Sequence, residues 1–135
     1  MPIGVEALSA EDTIYGNPFT EILATDEVRV DISDLTTAEV DADGYLKPGV
    51  HLRKTGDTIG AGNALYGVTF EPKKIVAAGP TDASLAANTG TFPVVVGTIG
   101  SVNRDVVEDN LGRALTADEV ASYDIAGSKL HLTRT

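Results

Sequence analysis

Apolar and polar residues alternate from Val28 onward, and this is the first regular pattern along the chain. Val28, Val30 and Ile32 are separated by polar residues, which is the period of a strand with one buried face. Further stretches have the length of strands, at residues 50–53, 64–70, 73–78 and 128–133, and the first and last of these also alternate apolar with polar residues. A sheet is therefore predicted to begin at Val28.

The run at residues 91–100 differs from the others because it is apolar on successive residues. Such a run is typical of a strand covered on both faces, so it is predicted to be the central strand. Turn-forming pairs separate the runs, among them Asp43-Gly44, Pro48-Gly49 and Gly79-Pro80. Short strands punctuated in this way predict a small β-barrel or sandwich, and the polar stretch at 81–92 is expected to be an exposed loop.

The C-terminal part of the chain carries helical signals. Asn103 is a candidate N-cap, and Thr116 with Glu119 forms an S/T-x-x-E capping box before a helix that Gly127 would end. Two pairs of adjacent acids on these helices are predicted to be surface and cap residues, Glu108-Asp109 and Asp118-Glu119. The predicted fold class is mainly β with a short helical segment (α+β), in which a helical excursion at about 103–125 precedes a closing strand.

Residues 1–27 show no sustained period and are predicted to form an extended N-terminal arm on a β-rich domain at 28–135. The arm contains isolated apolar residues: Ile3, Val5, Leu8, Ile14 and Phe19. One interpretation is a solvated tail, because such a segment buries too little surface to offset its ordering entropy. The other is a segment that orders on a partner, by strand addition or by placing these side chains in a groove.

The formal net charge of −10 is concentrated in the N-terminal third. Residues 1–45 contain eleven acids and one base, Arg29, whereas residues 46–135 contain nine of each. Nucleic acid is a poor partner for such a chain, because it lacks both a Lys/Arg cluster and an aromatic stacking platform. With no cysteine, no secretory signal and no run of eighteen apolar residues, a protein without disulfides or membrane contact is expected.

The spacing of a calcium-binding loop is met in part, since its first, third, fifth and sixth places hold Glu39, Asp41, Asp43 and Gly44. The twelfth place holds Val50 instead of the bidentate Glu that such a loop needs, and Pro48 lies where a second helix would begin. The stretch is therefore predicted to form two turns before a strand. A weak calcium contact at Asp41 and Asp43 is the alternative.

Signatures of catalysis are weak. No G-x-S-x-G nucleophile elbow occurs, and His51 and His131 are predicted to point outward from strands, with a spacing that fits no zinc site. Gly60 and Gly62 are followed by Leu65 where a G-x-G-x-x-G loop needs its third glycine, so this stretch is predicted to join two strands. The sequence predicts no enzyme, no catalytic residue, no cofactor and no metal.

Four stretches carry a likeness to a known family: "GYLKPGV" at 44–50, "YGVTFEP" at 66–72, "VGTIGSVNRD" at 96–105 and "AGSKLHL" at 126–132. In this order they resemble the head decoration proteins of tailed bacteriophages, the lambda head decoration protein family, and especially the versions carried by phages of actinobacteria. The resemblance covers roughly residues 40–132. Its most telling part is the succession of strand, helical excursion and closing strand.

The resemblance implies a β-tadpole-like domain with an extended arm, assembled as a homotrimer on the capsid. Such proteins bind the major capsid protein on the outside of an expanded head, at threefold or quasi-threefold positions, and act there as cement. The implied location is the outer surface of the virion, after synthesis in the host cytoplasm. The five apolar residues of the arm would then be candidate anchors in a capsid groove.

Two other functions remain open from the sequence. One is a phage tail or fibre adhesion module, which would be present in a few copies on each particle. The other, more remote, is a small hydrolase that uses scattered carboxylates with His51 or His131. Copy number separates the first from a decoration protein, and loss of an activity on replacing a histidine would identify the second.

Overall fold

The computed structural model describes residues 15–133, and this part of the chain is mainly β with three short α-helices. The coarse prediction of an α+β chain is therefore confirmed. The strands are β1 Phe19–Asp31, β2 Tyr45–Leu46, β3 His51–Leu52, β4 Gly67–Thr69, β5 Lys73–Lys74, β6 Thr91–Asn103 and β7 Lys129–Thr133. The helices are α1 Asp82–Ala86, α2 Arg104–Leu111 and α3 Ala117–Ser122, and a 3-10 turn at Ile32–Asp34 follows β1. Within residues 15–133, no helix has the length and apolar character needed to span a bilayer.

Strand β6 is the central strand, as predicted. One edge pairs antiparallel with β1 along its whole length. The opposite edge pairs with β4 near Gly97 and, in parallel, with β7 from Ile99 to Asn103. Strand β3 extends the sheet beyond β4, and β2 with β5 forms a separate two-stranded sheet. The second half of β6 therefore has neighbours on both edges, although Val95 in its first half is 48 % exposed and the prediction of two covered faces is wrong there.

The prediction was a small β-barrel or sandwich, and the barrel form is wrong because the sheet is open. The strand order β1-β6-β4-β3 leaves β1 and β3 at opposite ends. Closing a sheet requires strands that tilt and stagger around the ring. Strand β4 has only 3 residues and β3 only 2, and no ladder of hydrogen bonds joins β3 to β1.

The crossover between β6 and β7 is helical, because parallel neighbours cannot be joined by a tight turn. The Asn103 side chain accepts hydrogen bonds from the amides of Asp105 and Val106 at the start of α2. Thr116 and Glu119 form the capping box that begins α3. Both helices lie within the range predicted for the helical excursion, and α3 ends earlier than Gly127 had suggested.

Helix α1 lies in the stretch that was expected to be an exposed loop, and that expectation is wrong for residues 82–86. Thr81 and Ser84 cap each other's backbone amides at its start. Leu85 is buried in the core. A five-residue helix anchored by one apolar side chain leaves no period in the sequence, which is why the pattern did not reveal it.

Strand β1 begins at Phe19, nine residues before the predicted start of the sheet at Val28. The pairing of β1 with β6 shifts register three times between Phe19 and Thr25. Around these shifts Ile22, Leu23 and Ala24 follow one another, so the sequence of this half of the strand does not alternate apolar with polar residues. Residues 15–27 therefore belong to the β domain, and the predicted boundary of the arm at residue 27 is wrong.

Phe19 is part of the domain core instead of an arm that docks elsewhere. Its side chain is only 6 % exposed and meets Phe70 edge to face, with ring centroids 6.0 Å apart. Its ring also lies over Gly97, where a Cβ would be 2.4 Å from the Phe19 Cζ atom. Phe19 is thus not free to anchor the chain in a groove of a partner.

Replacing Phe19 with Ala tests this placement. We expect Phe19→Ala to lower the free energy of unfolding by about 3 kcal/mol or more, because a buried aromatic side chain is lost. Leu23→Ala is the matched control on the same strand, since Leu23 is 66 % exposed, and it should change stability by less than about 0.5 kcal/mol. Urea denaturation measures both, and equal effects would contradict the placement of Phe19.

Candidate functional site

The described chain begins at Tyr15, and the residues that follow it are held firmly on the domain. The Tyr15 hydroxyl donates to Asp41 Oδ2 at 2.6 Å. The Gly16 amide donates to Asn110 Oδ1 at 3.0 Å, and Asn110 Nδ2 donates back to the Gly16 carbonyl at 2.7 Å. We call Tyr15, Gly16, Asp41 and Asn110 the root clamp, because they fix the point at which residues 1–14 join the domain.

Four of the five predicted anchor residues lie outside the described part of the chain: Ile3, Val5, Leu8 and Ile14. The fifth, Phe19, lies in β1 and in the core. The candidate segment for contact with a partner therefore shortens to residues 1–14. We refer to these residues as the N-terminal segment.

Asp41 serves a turn and the root clamp together. Its Oδ1 atom accepts hydrogen bonds from the amides of Asp43 at 3.0 Å and Tyr45 at 2.9 Å, while Oδ2 accepts from Tyr15. Gly44 takes the positive φ of 89° that the predicted Asp43-Gly44 turn requires. Among residues 15–133, no three His, Asp or Glu side chains are grouped to hold a metal ion, and the Asp41 carboxylate is engaged by the chain itself.

His51 is buried, so the prediction that it points outward is wrong. It is 1 % exposed, with Nδ1 lying 2.8 Å from the Gly49 carbonyl and Nε2 lying 2.6 Å from the Tyr123 hydroxyl. A carbonyl can only accept, so Nδ1 carries the proton and Nε2 accepts from Tyr123. The alternation of Val50 and Leu52 with polar residues misled the prediction, because β3 is covered on both faces.

Two charged side chains, Arg113 and Glu119, lie close enough to act on His51 electrostatically. Arg113 donates to both carboxylate oxygens of Glu119, at 2.8 and 3.1 Å, and lies 3.6 Å from Glu39. Burial by itself would raise the pKa of Glu119, but hydrogen bonds from Arg113 and the Thr116 amide outweigh it and hold the pKa below its ordinary value. Glu119 makes the capping contact that was predicted. It is only 7 % exposed, so the prediction that it is also a surface residue is wrong.

The network is arranged to hold the fold together and offers no free reacting group. Both ring nitrogens of His51 are occupied, and burial raises the pKa of the Tyr123 hydroxyl so that it stays a donor. His131 is exposed on β7, as predicted, and borders a shallow cleft of about 320 Å³ with Tyr123 and Asp124. No side-chain hydrogen bond among the described residues joins the two histidines. His51 is therefore committed to these two contacts and is not free to act as a base.

The glycine-rich stretch at 56–63 joins β3 to β4, which pair antiparallel, so the predicted connection between two strands is confirmed. Gly56 has a φ of 91° and packs directly on the Arg29 carbonyl of β1. Because a side chain there would overlap the β1 backbone, the glycine serves close packing.

Sequence reasoning missed both the root clamp and the buried network. The sequence offered one sign of the root clamp: Asn110 is a polar residue next to Leu111 on the buried side of the short helix α2. The partners of Asn110 and His51 are far away in sequence, at separations of 94 and 72 residues. Pattern reasoning over short windows cannot pair residues at that distance.

The buried His51 makes stability depend on pH. Burial lowers the pKa of His51, with the charge of Glu119 opposing this effect. Below about pH 6.5 the unfolded chain therefore binds more protons than the folded one, so the free energy of unfolding falls as pH falls. Above that pH His51 is neutral in both states, and the stability is not reduced by its protonation.

Urea denaturation at pH 7.5, 6.5 and 5.5 measures this slope, which one proton limits to about 1.4 kcal/mol per pH unit. His51→Gln should flatten the slope, because the buried imidazole is removed. Equal slopes in the wild-type protein and His51→Gln would contradict the assignment.

Comparison with protein-family models, with curated proteins and with solved structures found no match to this chain.

Proposed function

We propose that this protein is a non-enzymatic capsid decoration protein of a tailed bacteriophage. It binds the major capsid protein on the outer surface of the expanded head and cements the shell at threefold or quasi-threefold positions, where it assembles as a homotrimer. The proposal rests on the resemblance of four stretches of sequence to the lambda head decoration protein family. It assigns no catalytic residue, cofactor or metal to the chain.

One structural observation supports this proposal most strongly: the four resembling stretches meet around β6. Residues 66–72 contain β4, and residues 126–132 contain most of β7, and both strands pair with the part of β6 that lies in residues 96–105. Residues 44–50 join them where Thr69 Oγ1 accepts hydrogen bonds from the amides of Gly49 and Val50. Stretches that are far apart in sequence thus form one contiguous framework, as expected if they specify a common fold.

The architecture also suits a protein that braces a shell. Such a protein needs a stiff body and a docking segment, and no bond chemistry. The body is supplied by the sheet and its helical crossover, with His51 committed to hydrogen bonds inside it. The docking segment in this proposal is the N-terminal segment, which adjoins the root clamp.

The remaining candidate anchors, Ile3, Val5, Leu8 and Ile14, would fill an apolar groove of the capsid, and the nearby acids would meet basic residues there. Exposed acids on β1, Glu21, Glu27 and Asp31, add negative charge to the same end of the chain. A complementary basic surface would speed association and make it sensitive to salt.

Deleting residues 1–14 tests the role of the N-terminal segment. The truncated chain should lose binding to undecorated expanded heads, because its anchors are gone, and it should keep the free energy of unfolding of the full chain within about 0.5 kcal/mol. Cosedimentation with heads and urea denaturation measure the two effects. Unchanged binding would overturn the assignment of the docking segment.

Two full-length variants separate the apolar anchors from the charges in the same assay. Replacing Ile3, Val5, Leu8 and Ile14 with Ser should abolish binding at every salt concentration. Replacing Glu6 and Glu11 with Gln, and Asp12 with Asn, should weaken binding at low salt and reduce its dependence on salt, because exposed charges are screened. An undiminished salt dependence in the second variant would show that these acids do not face the capsid.

A further inference from the structure

We propose that the root clamp is a positioning device that sets where and in which direction the N-terminal segment leaves the domain, so that its docking is transmitted to the folded body. Asn110 and Tyr15 are the positioning residues. This inference rests on the proposed function, since it concerns how the same segment engages the head.

Asn110 holds the backbone of Gly16 from a rigid support. It is buried, and its amide makes the paired donor and acceptor contacts with Gly16 that a neighbouring strand would make, together with a bond from Nδ2 to the Pro48 carbonyl at 3.3 Å. The helix that carries it is itself fixed, because Val107 and Leu111 on α2 lie in the core. The clamp on this side is therefore as stiff as the domain.

Gly16 permits this close approach. A Cβ at this position would lie 2.8 Å from Cγ1 of Val106, a stiff β-branched side chain on the same helix. Any larger residue would push the chain away from α2 and lengthen both bonds to Asn110. Glycine is needed here for lack of space and not for its backbone conformation, since Gly16 does not have a positive φ.

Tyr15 supplies a second point of attachment on a different part of the domain. Its acceptor, Asp41, is oriented by the amides of Asp43 and Tyr45, and not by α2. Burial, and then the hydrogen bond to Asp41, raises the pKa of Tyr15, so its hydroxyl remains a donor near neutral pH. Two consecutive residues held from two separate elements fix a direction as well as a position.

The chain beyond the clamp continues directly into the sheet. The Pro18 carbonyl accepts a hydrogen bond of 2.7 Å from the Asn103 amide, and β1 starts at Phe19. A pull on the N-terminal segment is therefore shared between α2, the Asp41 turn and β6. Without the clamp, residues 15–17 would form a flexible linker that must be ordered again whenever the segment docks, and ordering costs affinity.

Tyr15→Phe tests the clamp with little disturbance of the fold, and Tyr66→Phe is its matched control. Tyr66 also donates its hydroxyl to an aspartate, Asp26, but away from the root clamp. In cosedimentation with undecorated expanded heads, Tyr15→Phe should bind roughly five- to tenfold more weakly, about the effect of losing one hydrogen bond and the order it maintains. Tyr66→Phe should bind like the wild type.

Chymotrypsin gives a second readout that does not involve heads. Cleavage after residue 15 should be slow in the wild type and in Tyr66→Phe, and several-fold faster in Tyr15→Phe and Asn110→Ala, because the clamp shields this bond. Both clamp variants keep an aromatic residue at the cleavage site. Urea denaturation shows whether each variant is folded. If Asn110→Ala is unfolded, the cleavage rate of Tyr15→Phe alone tests the clamp.

The outcomes distinguish the two proposals. Unaltered cleavage in Tyr15→Phe overturns the clamp. Faster cleavage with wild-type binding overturns its positioning role and leaves the proposed function intact, provided that deleting residues 1–14 abolishes binding. If that deletion leaves binding unchanged, the docking role of the segment fails, and the inference fails with it.

Discussion

Close pairing on both edges of β6 is the constraint on which the rest of the fold depends. A strand in this position must accept β1 on one side and β4 with β7 on the other, and it does so with glycines at the tightest points. Gly97 leaves room for the Phe19 ring, and Gly100 combines a φ of 149° with a position where a Cβ would lie 2.1 Å from the Glu21 carbonyl oxygen. The register shifts of β1, between Phe19 and Thr25, lie in the stretch that faces these glycines.

From this sheet the other features follow in order. The parallel pairing of β7 requires a crossover, which places α2 and α3 over the domain. His51 and Tyr123 connect β3 to the end of α3, and Arg113 connects the loop after α2 to Glu39 and Glu119. Such buried polar contacts are satisfied only in one arrangement, so they favour a single position of the helices on the sheet.

Local signals predicted α2, α3 and the turns, because their causes lie within a few residues of each other, whereas α1 left no such signal. The caps at Asn103 and Thr116, the turn at Gly44 and the central place of β6 could all be predicted from the sequence. The first half of β1 could not, since apolar and polar residues do not alternate around its register shifts. The root clamp was equally hidden, because Gly16 and Asn110 are 94 residues apart and neither has a distinctive neighbourhood. The predicted arm, residues 1–27, was therefore too long. Its apolar and acidic composition still distinguishes residues 1–14, which adjoin the clamp.

In the proposed function the N-terminal segment binds the capsid, and the folded domain, joined to it at the root clamp, braces the shell. Quantitative mass spectrometry of purified particles of the source phage tests it most directly, by measuring the amount of this chain relative to the major capsid protein. A decoration protein that covers the shell by symmetry should be present at about one copy per major capsid protein. A ratio of a few per cent would instead favour a tail or fibre module, and absence from the particle would contradict a virion role altogether.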